Sequence, residues 1–184
     1  MATRISGTLS VSSIKKMQSQ LKDYKRRLIE KCSLFTERLA AAGIIVGQQN
    51  LGQYDKYVIF SMETNPQRYG AKTIMYATNT GLIHSQWMTK GGVKETDVSP
   101  ILMAEFGSGL RANNPRAKEM KPPMGTGTFP EQTHAEDPEG WWYQTVDGVW
   151  HHSFGVSPTM PMFKAQMEIY DQIETVAREV FGND

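Results

Sequence analysis

The stretch SSIKKMQSQLKDYKRRLIEKCSLFTERLAAAG, residues 12–43, decides the fold class. Apolar side chains fall at Ile14, Met17, Leu21, Tyr24, Leu28, Phe35 and Leu39, mostly three or four apart. That spacing lines one face of an α-helix. Ser12 or Ser13 suits its start, and Gly43 suits the left-handed stop. About thirty residues at 1.5 Å each make a helix of roughly 45 Å, longer than a small domain is wide. Part of it is therefore expected to pack on another chain.

After Gly43 the period changes. The runs at residues 43–47, 57–62, 73–77 and 82–87 are short and rich in β-branched or aromatic side chains. Turn formers separate them: Asn50-Leu51-Gly52, Asn65-Pro66, Asn79-Thr80-Gly81 and Gly91-Gly92. The pattern predicts an antiparallel sheet of about four strands. A short helix is expected over Val98–Phe106, with Pro100 in its first turn. A last helix is expected over Thr159–Phe181. Pro161 stands at its first position, and Phe163, Met167, Tyr170, Ile173, Ala177 and Val180 form its stripe.

Between these helices the composition shifts. Seven of the nine prolines lie between Gly107 and Pro161. Leu110–Thr133 has almost no apolar period, which marks an extended arm that orders against a partner. Beyond it, Asp147-Gly148 signals a two-residue hairpin turn. That turn sets Tyr143 against His152 and Trp141 against Phe154. One face then carries Trp141, Tyr143, Trp150, His152 and Phe154, and the other carries Trp142, Gln144, His151 and Ser153. So dense an aromatic face needs cover. The fold expected is α+β: a long N-terminal helix, an antiparallel sheet, a Pro/Gly-rich arm with an aromatic hairpin, and a C-terminal helix. Helix and sheet occupy residues 1–106 and the arm 107–140. The hairpin and last helix, 141–184, pack on the same single domain.

The chain has 184 residues, 20 basic and 19 acidic, with a formal charge of +1. That length supports a core without staples. The balance argues against coating nucleic acid or an anionic membrane by bulk charge. No apolar run reaches the ~20 residues of a membrane span, and Met1–Val11 lacks the pattern of a signal peptide. One cysteine, Cys32, excludes an intramolecular disulfide. A soluble chain in a reducing cytoplasm is expected.

Candidate chemistry is sparse. His84, His134, His151 and His152 are interspersed with Glu131, Glu136, Asp137 and Glu139, which invites a metal site. No spacing matches a helical His-x-x-x-His motif, and neighbouring strand positions such as His151 and His152 point to opposite faces. They are read as surface or interface histidines. A metal-dependent hydrolase using His134 and His151 is the alternative. Cys32 reads as a half-buried helical thiol rather than a nucleophile. Gly107-Ser108-Gly109 and Gly125-Thr126-Gly127 lack phosphate-loop spacing and read as turns. No cofactor or metal is expected, and no catalytic set is assigned.

Charge is distributed unevenly. The first helix carries eight basic residues against Asp23, Glu30 and Glu37, a net +5, whereas residues 162–184 carry −3. The bland explanation is two solvated helix faces. A sharper one is that the helices meet, within or between subunits, with charge setting register. Lys15, Lys16, Lys22 and Lys25 then form a charge-register face, or one that lies beside DNA phosphates.

The segment AEFGSG at 104–109 resembles one found in a small virion-protein family. GTFP at 127–130, QTHA at 132–135, GWWY at 140–143 and PTMPMFKA at 158–165 resemble it too. The family is the tail-completion or head–tail joining (neck) proteins of long-tailed bacteriophages and prophages. The resemblance implies a non-enzymatic virion protein, assembled in the bacterial host cytoplasm. It implies a closed ring, sixfold if it follows the tail and twelvefold if it follows the portal. Connector or head-completion proteins lie above and a tail terminator or tail tube below, with no membrane involved. Trp141, Trp142, Tyr143, Trp150, Phe154, Phe129, Arg26 and Arg27 are the expected subunit-interface residues. A free-standing module that docks a partner on its Trp141–Phe154 hairpin is a further alternative.

Overall fold

A computed structural model of the chain describes residues 10–108, 138–144 and 147–182. The fold is α+β. Helix α1 (Val11–Gln49) leads to a short 3-10 helix (Gly52–Tyr57) and then to strands β1 (Val58–Gln67), β2 (Gly70–Asn79), β3 (Ile83–Thr89) and β4 (Gly92–Val98). Helix α2 (Pro100–Phe106), strands β5 (Trp141–Gln144) and β6 (Trp150–Ser153), and helix α3 (Pro161–Phe181) follow. The expected arm lies mostly at 109–137, outside the described residues.

The sheet and the extent of α1 differ from what local sequence favours. The four-stranded sheet is replaced by separate two-stranded sheets, β1–β2, β3–β4 and β5–β6. The expected strand at 43–47 is helix instead, because α1 continues through Gly43 to Gln49. Local preference favoured a break there, but Ala40-Ala41-Ala42 propagates the helix strongly. Further along, a side chain at Gly47 would put its Cβ 2.7 Å from the Phe60 ring. The missing side chain therefore makes room for Phe60 to pack, and burial outweighs glycine's backbone entropy. α1 ends at Asn50, whose backbone N–H and side-chain amide both donate to Val46 O, at 3.2 and 2.8 Å. At the other end Ser10, rather than Ser12 or Ser13, caps the helix: its Oγ accepts from Ser13 N at 3.2 Å.

The chain divides into two compact units. One comprises Met1–Ile44, Ser61–Tyr76 and Gln166–Asp184. Its core is Leu39, Val176 and Val180, with Phe35 and Ile169 packed against it. Phe35 meets Phe181, with ring centroids 5.7 Å apart. Leu39 lies with the earlier Val176, so the helices run antiparallel and α3 ends abreast of Phe35. A hydroxyl relay ties the β1–β2 hairpin to α1: Thr64 and Thr73 share a hydrogen bond of 2.9 Å, and Thr73 Oγ1 donates to Thr36 Oγ1 at 2.8 Å.

The other unit comprises Ile45–Phe60 and Ala77–Ala165. Leu51, Val58, Pro100 and Pro161 are its most deeply buried side chains. Asn79 locks the start of α2: its amide donates to Ser99 Oγ at 2.8 Å, and its oxygen accepts from Ile101 N at 3.0 Å. Ser99 in turn caps α2. Residues 104–108 hold the approach to α3. Ala104 O accepts from Thr159 N and Met160 N at 2.8 and 3.0 Å. The Glu105 carboxylate, 8% exposed, accepts from Met162 N at 2.8 Å and Phe163 N at 3.1 Å. These are orphan donors in the first turn of α3, where the helix dipole also favours a negative group. Gly107 has φ +67°, and a Cβ there would lie 2.3 Å from Val156 O. Ser108 and Val156 close the clamp with two backbone bonds of 2.9 Å.

Burial raises the Tyr54 phenol above its ordinary value, while a hydrogen bond with Gln53 acts the other way. The unfolded chain therefore ionises first. The stability that Tyr54 contributes is complete below pH ~10 and falls as pH rises past it. Urea titrations at alkaline pH should show a shallower loss in Tyr54→Phe than in the wild type. At neutral pH, Glu105→Ala leaves two buried N–H groups unmatched. It should cost about 2 kcal/mol, seen as a fall of about 4–8 °C in calorimetric Tm. Gly107→Ala should cost more, because it meets both strain and a backbone oxygen.

Candidate functional site

No catalytic constellation forms among the described residues; the features that stand out are surfaces. The first is the N-terminal half of α1. From Val11 to Leu28 every residue is exposed except the half-buried Ser13 and Met17. Ile14, Leu21, Tyr24 and Leu28 thus form an apolar seam with solvent on it. With Met17 they follow the 3-4-3-4 spacing of coiled-coil a and d positions. Lys25 and Arg27 occupy the flanking positions. Lys15, Lys16 and Lys22 are exposed on the same half of the helix.

The cations differ in their partners. Arg26 pairs with Glu30 at 3.0 Å, one turn on and on the side away from the seam. Lys25 Nζ sits 5.3 Å from the centroid of the Tyr69 ring. Arg68 approaches the same ring at 5.0 Å. Tyr69, at the turn between β1 and β2 and 80% exposed, was not singled out by sequence. Nothing local signals that a hairpin tip will reach the helix. Where α1 and α3 pack together, Arg38 pairs with Glu179 at 2.9 Å. Both partners are about half exposed, so the pair contributes about 0–1 kcal/mol.

The second surface is the β5–β6 hairpin, where the expected register is corrected by one residue. Trp141 lies opposite Ser153, Trp142 opposite His152, Tyr143 opposite His151 and Gln144 opposite Trp150. Asp147 and Gly148 are not a two-residue loop. Asp147 Oδ1 accepts from Val149 N at 3.4 Å, and Gln144 Nε2 donates to Gly148 O at 2.9 Å. These contacts favour a longer turn. A one-residue slip exchanges the faces of one strand relative to the other. The single five-residue aromatic face is therefore split. Trp142 joins His152 and Phe154. Trp142 stacks on His152 at 4.5 Å, and Phe154 meets His152 edge-on at 4.6 Å. His152 Nε2 is also 2.8 Å from Glu139 O. Trp142 and Trp150 remain 64% and 60% exposed. Phe129, the other aromatic of the expected interface, lies outside the described residues.

The described histidines do not converge. His84 pairs with Asp97 at 2.9 Å and lies 3.9 Å from Glu95 on the β3–β4 ladder, all on an exposed face. His134, Glu131, Glu136 and Asp137 lie outside the described residues. Among the described residues no group of three His, Cys, Asp or Glu side chains is placed to hold a metal ion. Likewise no described helix is long and apolar enough to cross a membrane. Cys32 is half-buried and unbridged. A cleft of ≈ 450 Å³ is lined by Gln53, Tyr54, Lys56, Tyr57, Ile83, Val98 and Met103.

The Trp142–His152 stack is directly observable. In proton NMR the His152 ring signals should lie upfield and return toward ordinary positions in Trp142→Ala. That variant should lose about 0.5–1.5 kcal/mol of stability. Unchanged His152 shifts would contradict the register described. In comparisons with known proteins, no family model, no curated protein and no solved structure matched the chain.

Proposed function

We propose that this chain is a structural protein of the neck of a long-tailed phage particle. There it forms a ring that completes the tail and joins it to the head-side connector. The observation that carries the proposal is the division of α1. Its C-terminal half packs into the chain's own core. Residues 11–28 expose an apolar seam and six basic side chains to solvent. An exposed apolar seam of this kind marks an interaction surface, and a head-to-tail contact that closes is how a ring covers it.

The segments that resemble the neck family support the same reading. AEFGS and PTMPMF are distant in sequence yet form one buried clamp, with Glu105 on the first turn of α3. Their shared pattern then has a structural origin, because each half needs the other. The exposed Trp142 and Trp150 offer a second contact, toward a neighbour in the ring or toward the connector above and tail tube below. Sixfold symmetry follows if the ring matches the tail. The lysines of α1 lie beside the DNA path if that half faces the lumen. No catalytic role is proposed.

Antibody labelling of purified particles should place the chain at the junction between head and tail. Deleting its gene should leave filled heads and separate tails. Particles that assemble and infect normally without it would overturn the proposal. A chain absent from particles and monomeric in solution would point instead to a module that docks partners on its hairpin.

A further inference from the structure

α3 carries a second, unused face. Ala165, Ile169, Val176 and Val180 point inward. Met167, Tyr170, Asp171 and Glu174 lie on the opposite, exposed side. Their spacing of three and four places them in one stripe. Met167 and Tyr170 give this stripe its apolar part, and Asp171 and Glu174 continue it with acidic groups. The outward face carries Asp171 and Glu174, the latter also paired with Arg178 one turn on, while Glu179 is turned to Arg38 of the same chain. The exposed seam of α1 is its complement: apolar at its centre, with Lys25 and Arg27 along its edges. Over Val11–Ile29 six bases face the single acid Asp23.

The two stripes cannot meet within one subunit. α3 ends at Phe181, abreast of Phe35. The seam at Ile14–Leu28 lies beyond that end, on the N-terminal side, for roughly 20 Å at 1.5 Å per residue. The outward stripe of α3 is turned away from the face that packs on α1. Pairing two α1 seams from different copies would bring like charges together along both edges, a costly arrangement. Pairing α1 of one copy with α3 of the next brings opposite charges together and covers both apolar stripes.

We propose that the partner of the α1 seam is a second copy of this chain, docked through the outward Met167–Glu174 face of α3. The contact is heterologous: each copy gives α1 to one neighbour and α3 to the other. It supplies the interface that the ring needs, and it rests on the neck reading only for the closure of these contacts into a ring.

Charge reversal tests it. All four positions are exposed, so the variants should fold with nearly unchanged Tm. Sedimentation velocity of the full-length chain at about 100 µM should show oligomers. Lys25→Glu with Arg27→Glu should weaken self-association at least about tenfold, as should Asp171→Lys with Glu174→Lys. Mixing the two variant chains restores opposite charges at every contact and should restore oligomers that alternate the two. Leu21→Ser should also weaken association.

A monomeric wild type, unaffected oligomers, or a mixture that stays dissociated would overturn the interface. Stronger association on reversing α1 alone would indicate α1–α1 pairing and equally overturn it. A chain that associates as described but is missing from particles would overturn the neck role and leave this interface standing. A chain found at the neck but failing the mixing test would do the reverse.

Discussion

The unit that holds α2 and the start of α3 depends on a carboxylate buried at a helix terminus. Met162 and Phe163 present N–H groups with no intrahelical acceptor, and Pro161 presents none. Glu105 reaches across to satisfy both. A buried charge without partners would be strongly unfavourable, and so would buried N–H groups without acceptors. Each cancels the other's cost, so neither segment is comfortable alone. The chain turns tightly at Gly107 because a side chain there would strike Val156 O. Met160 adopts a positive φ of 54° on the other side. Its N–H is drawn to Ala104 O, which helps to hold that unfavourable conformation.

The other unit shows a different balance. Its core is small, built from Leu39, Val176 and Val180 with Phe35 and Ile169. The helices contributing to it keep much of their apolar surface in solvent. A helix propagates on backbone hydrogen bonds and on good formers such as Leu, Lys and Arg, so α1 can continue past the end of its packing partner. Its exposed half sets basic side chains around the apolar seam. The net charge of +1 therefore hides a basic first helix and an acidic last one.

Much of the fold was legible locally. The 3-4 spacing of Ile14, Met17, Leu21, Tyr24 and Leu28 marks a helix whatever surrounds it. Ser99 before Pro100, and Pro161 before the Met162 run, mark two further helix starts through capping and fixed φ. Lys90-Gly91 joins β3 to β4 where Gly91-Gly92 signalled a turn. Errors arose where local and distant forces disagreed. Gly43 and the β-branched residues after it favour a break, yet burial at Gly47 and Phe60 keeps the helix intact. Asp147-Gly148 favours a tight turn, yet side-chain bonds from Asp147 and Gln144 support a longer one. Asn65-Pro66 favours a turn locally, yet it lies inside β1, which continues to Gln67.

The sequence by itself determined the helices, their charge and the absence of a familiar catalytic spacing. Those properties reside in neighbouring residues and in composition. The tertiary structure alone decided the length of α1, the hairpin register and the role of Glu105. It also decided which stripe of each helix is covered. Each of these depends on groups far apart in the chain, 57 residues in the case of Glu105 and Met162. A contact at that separation leaves no periodic trace in sequence. It is set by which buried donor finds an acceptor once the chain has closed upon itself.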